Sequence, residues 1–182
     1  MAEGTDPLVA VAAEAVGATG SGLEGSANPW LHWVTLYTDA GYHPVEGGTY
    51  ACRTRHSFPP IRTEIHGKIA ECADSNVAEI YAIVVGVEHV LATWGRVDGI
   101  GVKTDSQTAL AVLKFGAAPH RRADFRALQQ RLSNALKLKE LEQGSLVKIR
   151  IQWVKGHQGS RTTQGWLNNR VDALAREARK RG

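Results

Sequence analysis

The spacing of apolar residues changes once along this chain, from a period of two to a period near 3.6, and that change limits the folds open to it. The segments Trp33-Val-Thr-Leu-Tyr-Thr38, Gly48-Thr-Tyr-Ala-Cys-Arg-Thr-Arg55 and Ile61 to Ala70 are β-branched, aromatic or alternating, and read as three strands. Short links between them predict an antiparallel meander, with a turn at Phe58-Pro-Pro. From Val77 the period becomes helical, with Ile80, Tyr81, Val84, Val87 and Leu91 on one face, starting at Ser75-Asn76 and ending near Trp94-Gly95. Ile100 to Thr104 predicts a short buried strand, and Ser106 to Phe115 a helix. A second helix carries Phe125, Leu128, Leu132, Ala135 and Leu136. Val147 to Val154 predicts a fifth strand, and Leu167, Val171, Leu174, Ala175 and Ala178 a last helix. The order is β-β-β-α-β-α-α-β-α. It implies an α/β fold: a mixed five-stranded sheet, its first three strands antiparallel, flanked by helices.

Residues 1–30 fall outside that pattern. They are rich in Ala, Gly and Ser, hold T-G-S-G and E-G-S-A-N-P, and read as a disordered acidic extension, with residues 31–182 forming one domain. The apolar stretch Leu8 to Val16 is interrupted by Glu14 and preceded by acids, which makes a poor secretory signal. Charge is divided the same way. The extension holds four acids and no Lys or Arg, so the rest carries all 22 bases against 14 acids, a net +8 that favours polyanions such as nucleic acid. The longest uncharged apolar runs fall short of the ~20 residues of a membrane span, so no membrane is expected. Cys52 and Cys72 show neither C-x-x-C spacing nor a His/Cys cluster. That excludes a thiolate zinc site and a disulfide scaffold, and a reduced cytoplasmic setting is the expectation.

Four carboxylates stand out by position. Asp39 ends the predicted first strand, Glu79 lies in the first turn of the long helix, Asp105 ends the fourth strand, and Asp172 lies inside the last helix. Each has an ordinary alternative. Asp39 before Ala-Gly reads as a turn residue, Glu79 three after Asn76 as half of a capping box, and Asp105 before Ser106 as an N-cap. Asp172 can pair with Arg176 one turn on. Two of the four, however, sit at strand C-termini, where α/β sheets bind ligands, and two on helices that pack near that edge. Four converging carboxylates repel one another by about 4 kcal/mol per pair at ~4 Å and an effective dielectric near 20. A divalent cation removes that cost, and an all-oxygen donor set selects Mg²⁺, with Mn²⁺ as a substitute, over zinc.

The segments Y-T-D-A-G, N-V-A-E-I-Y-A-I, K-T-D-S-Q-T-A-L and W-V-K-G-H-Q-G followed by N-N-R-V-D-A-L-A resemble, in order and spacing, the motifs of type 1 ribonuclease H. The resemblance spans Trp33 to Lys180. It implies an endoribonuclease that hydrolyses the RNA strand of RNA/DNA hybrids with two Mg²⁺ ions, leaving 5′-phosphate and 3′-hydroxyl ends. Asp39, Glu79, Asp105 and Asp172 would be its metal ligands, with Asp39 shared between the ions. His157 would match the family's loop histidine, which assists proton transfer or product departure. Gly41, Asn76 and Gln107, together with Glu79, match positions that contact the RNA strand, and Asn168 the asparagine beside the last carboxylate.

The chain also departs from that family's pattern. Thr and Arg, five and two residues before the helix glutamate in many members, form a phosphate pocket; here Asp74 and Val77 stand there, and an acid would repel phosphate. The Lys- and Trp-rich protrusion of some bacterial relatives is reduced to Gly116 to Arg122, whose Arg121 and Arg122 are either solvated or on phosphates. Three rival readings make different demands on the sequence. A catalytically silent ribonuclease H-fold nucleic-acid-binding module predicts a missing carboxylate, an integrase or transposase predicts a late helical Glu, and a plain basic DNA-binding protein needs no acidic cluster. A monomer is the expectation.

Overall fold

The computed structural model describes residues 32–57, 60–115, 122–155 and 163–180, with the side chains of 115, 163–166 and 168 excepted. Five strands and four helices follow in the predicted order: β1 (Trp33–His43), β2 (Gly47–His56), β3 (Arg62–Ile69), α1 (Ser75–Thr93), β4 (Gly99–Thr104), α2 (Gln107–Phe115), α3 (Ala123–Gln143), β5 (Lys148–Trp153) and α4 (Thr163–Lys180). They build one mixed sheet in the order β3-β2-β1-β4-β5, in which the first three strands are antiparallel and β4 and β5 run parallel to β1.

β1 runs further than the sequence indicated. Asp39 does not end it, because β2 pairs with β1 residue for residue as far as His43 opposite Gly47, whereas the pairing with β4 stops at Tyr37 opposite Lys103. The tight return into β2 uses Gly47 at φ 80°, a conformation open to glycine at no steric cost.

Alternation along β1 divides the core between the two faces of the sheet. Val34 and Leu36 are fully buried against Ile80, Ile83, Val84 and Val87 of α1, and Phe125, Leu128 and Leu132 of α3 close that layer. Tyr37 points the other way, packing with Ala51 against Val171, Leu174 and Ala175 of α4. By length and composition α1 is long and apolar enough to cross a membrane, which the sequence reading had not anticipated. Its apolar residues are instead buried against the sheet and α3. Cys52 and Cys72 are both free thiols. The 1–30 extension and the Phe58-Pro59 part of the predicted turn lie outside the described residues.

Candidate metal centre

Parallel pairing of β1 with β4 sets the first two carboxylates side by side. Asp39 and Asp105 each lie two residues past the Tyr37–Lys103 pair, at the end where the two strands part. α1 crosses β1 and β2 on one face and brings in Glu79 from its first turns. Asp39, Glu79 and Asp105 each offer an oxygen within 4.8 Å of the other two, the one such group of metal-ligating side chains among the described residues.

The ordinary readings of two of these acids do not hold. The N-cap of α1 is Asp74, whose Oδ1 accepts from the Val77 amide at 2.9 Å, so Asn76 is not the cap and Glu79 is not half of a capping box. At α2 the Ser106 hydroxyl accepts from the Ala109 amide at 3.1 Å, which leaves the Asp105 side chain without a capping duty. Asp39 accepts from the Ala40 amide at 2.9 Å.

Electrostatics at the site run against ionisation. Burial, then the charges of Asp105 and Asp172, push the Asp39 carboxyl up to about 7, against the Ala40 amide and Arg176. Burial, then Asp39 and Asp105, push Glu79 up to about 9. Glu79 Oε2 is buried with no hydrogen-bond partner. An unsatisfied buried carboxylate oxygen facing two further carboxylates is a costly arrangement, and a hard cation with oxygen ligands would satisfy all three groups. The donor set therefore fits a divalent metal of the Mg²⁺ type.

Asp172, the fourth expected ligand, stands beside the trio and not in it. It lies near enough to raise Asp39, yet it is not in the group of three, and its Oδ2 accepts from Arg176 Nη2 at 2.7 Å. That is the i+4 pair the sequence allowed. Gly41 lies in β1 opposite Thr49, where an added Cβ would stand 3.0 Å from Thr49 Oγ1. Asn76 and Gln107 occupy the opening turns of α1 and α2, half-buried and exposed. Asn168 falls in α4 with its side chain outside the described set, and His157 and Arg121 lie outside the described residues.

Three contacts at this end of the sheet had no signal in the sequence. The Trp153 indole N–H donates to the Asp105 carbonyl at 3.0 Å, tying β5 to the segment that carries the acid. Arg122, part-exposed, pairs with Asp74 and Asp124 and lies 4.4 Å over the Phe125 ring, so its guanidinium is already engaged. Asp74 shares Arg122 with Asp124, and Arg122 together with the Val77 amide holds the Asp74 carboxyl below the usual range against the opposing effect of burial. The Trp153–Asp105 and Arg122–Asp74 pairs are each 48 residues apart in sequence, and only the register of β5 or the docking of α3 brings them together.

The RNase H family model matches residues 32–180. Among solved structures, RNase H1 from the halophilic archaeon Halobacterium salinarum is 23% identical at a TM-score of 0.61, with 82% of this chain and 99% of that one covered. The N-terminal RNase H domain of a Mycobacterium tuberculosis protein, solved as a fusion with maltose binding protein, is 18% identical at a TM-score of 0.59, with 81% and 94% covered. The prototype foamy virus protease-reverse transcriptase is 18% identical at 0.56, with 83% of this chain and 21% of that one covered. These likenesses show the fold. No curated protein matches the chain.

Proposed function

The chain belongs to the RNase H family, and from that premise we propose that it is an endonuclease hydrolysing the RNA strand of RNA/DNA hybrids, with Mg²⁺ held by Asp39, Glu79, Asp105 and Asp172. The observation that carries the reading is the trio of carboxylate oxygens within 4.8 Å, one member of which keeps a buried oxygen without a hydrogen-bond partner. Such a centre is disfavoured without a cation, and a basic domain body supplies the long-range attraction for the hybrid. When bound, a pair of Mg²⁺ ions supplies activation of the attacking water and stabilisation of the leaving 3′ oxygen.

The protein's own residues do the rest. Asp39, whose charge is coupled to Glu79, Asp105 and Asp172, would hold the metal with them, and Asp172 would do so while its Oδ2 accepts from Arg176. Trp153 holds the backbone at Asp105. His157 is proposed to carry a proton during turnover, a task suited to a group that titrates near neutrality. Gly41, Asn76 and Gln107 are proposed to read the RNA strand, whose 2′-hydroxyl distinguishes it from DNA. The two free thiols accord with a reducing, cytoplasmic setting.

The test is magnesium-dependent digestion of matched RNA/DNA hybrid, double-stranded RNA and single-stranded RNA, giving 5′-phosphate ends from the hybrid alone. Asp39→Asn or Asp105→Asn should abolish that cleavage with the fold intact, and either variant cutting at the wild-type rate would refute the assignment. His157→Ala should slow turnover partially; an unchanged rate removes His157 from the reaction.

A further inference from the structure

A second charged feature lies away from the carboxylates, on the α4 face of the sheet. Directly opposed residues across three strands form rows there. Thr35 faces Arg55, which faces Arg62; in the next row Tyr37 faces Arg53, which faces Glu64. Glu64 is already shared, accepting from Arg53 at 2.7 Å and from Arg170 of α4 at 2.8 Å. Arg55 and Arg62 form no ion pair with any described residue, although they stand in direct register on neighbouring antiparallel strands. Like charges so placed repel, and side chains at directly opposed positions are only ~5 Å apart at Cβ. Arg53 and Arg170 thus share Glu64, while the opposed pair Arg55 and Arg62 stands in the adjacent row of the same face.

Arg55 and Arg62 are exposed, whereas Arg53 between β1 and β3 is buried. Thr35, Tyr37, Arg53, Arg55, Arg62 and Leu167 line a cavity of about 130 Å³ beneath the first half of α4. At roughly 30 Å³ per water, that is room for one phosphate group and its hydration rather than for a nucleoside. Guanidinium forks match phosphate oxygens in pairs, and hydroxyls at Thr35 and Tyr37 add donors on the third side. Tyr37, the lining residue nearest Asp39 along β1, is two residues from it, ~7 Å at ~3.3 Å per residue, and none of the four candidate carboxylates lines the cavity.

We propose that Arg55 and Arg62, with Thr35 and Tyr37, form a binding site for a phosphate group, the anion that the opposed arginine pair is arranged to receive. The site is argued from register, charge and cavity and does not rest on the nuclease reading. Its ligand is either a free phosphate or a backbone phosphate of bound nucleic acid.

The probe is inorganic phosphate, added without divalent metal against chloride at matched ionic strength. Thermal unfolding of the wild-type protein should rise saturably with phosphate and not with chloride. In the double variant Arg55→Gln/Arg62→Gln the phosphate response should be lost, while the protein without phosphate melts no lower than wild type because a repelling pair has gone. A purely structural role would instead lower the melting temperature. A double variant that responds to phosphate like wild type, or a wild type that responds equally to chloride, overturns the site. Metal-free binding of a labelled hybrid separates the sources. Weakening of severalfold or more in the double variant, with the salt slope reduced by about one to two, assigns a backbone phosphate. Unchanged hybrid binding alongside a lost phosphate response assigns a free one.

Discussion

Asp39 in β1 and Asp105, one residue past the end of β4, stand at equivalent positions, two residues beyond the last β1–β4 pair, Tyr37 opposite Lys103. Strand separation at that point leaves their carboxyls facing each other and Glu79 with no backbone ladder between them. The position explains why burial, with the neighbouring acids adding to it, outweighs hydrogen bonding in raising the carboxyls of Asp39 and Glu79.

Stability of the metal-free protein should therefore fall as pH rises. Asp39 and Glu79 titrate higher in the folded protein, near 7 and 9, than carboxyls do in the unfolded chain. Asp39 holds its extra proton between about pH 4 and 7 and Glu79 between about pH 4 and 9, so each raised pH unit costs on the order of 1 kcal/mol from each group below 7 and from Glu79 alone above it. The loss should begin above about pH 4 and level off past 9. Chemical denaturation in EDTA from pH 5 to 9 measures it, and added Mg²⁺ should restore most stability at the alkaline end. A flat or rising profile from these two groups would contradict their environment.

Trp153→Phe removes the indole donor to the Asp105 carbonyl while keeping an aromatic ring. Because Trp153 is partly exposed, stability should drop by no more than about 1 kcal/mol. Turnover on hybrid should fall severalfold at constant Mg²⁺, since the backbone carrying Asp105 loses an anchor. Steady-state kinetics beside a melting curve distinguish the two effects, and an unaltered kcat would show that the bond is only structural.

Asp74→Ala should destabilise α1 by about 1 kcal/mol through loss of the cap to Val77. Asp74→Asn keeps an acceptor at that position and should cost only a few tenths. The ion pair with Arg122 lies on a part-exposed surface, so a double-mutant cycle between the two positions should give at most about 1 kcal/mol. Equal losses for Ala and Asn would place the stabilisation in the charge instead of the cap.

Gly48→Ala should destabilise by about 1–3 kcal/mol. A Cβ there would lie 2.7 Å from Cys72 Sγ and 2.8 Å from Cys72 Cβ, so the chain entering α1 would have to move away from β2. Urea unfolding reports the loss; a neutral result would mean that the 70–74 segment yields freely.

What the sequence determined by itself was the type and order of elements, because a period of two or 3.6 in apolar residues is a local property that each segment carries whether or not its neighbours are present. The stripe from Val77 to Leu91 marks α1, and the alternation of Gly48 to Arg55 marks β2, before any packing is known. The candidate carboxylates were legible for the same reason, as acids at the ends of apolar periods. Tertiary structure alone decided the relations among them. It extended β1 past Asp39 because β2 supplies partners to His43, and it left Asp172 on Arg176 while Glu79 joined Asp39 and Asp105. It also set Arg55 against Arg62 and matched Asp74 with Arg122. Those outcomes depend on strand register and helix docking, which bring together residues far apart along the chain and are fixed by the balance of all contacts at once; no single segment encodes them.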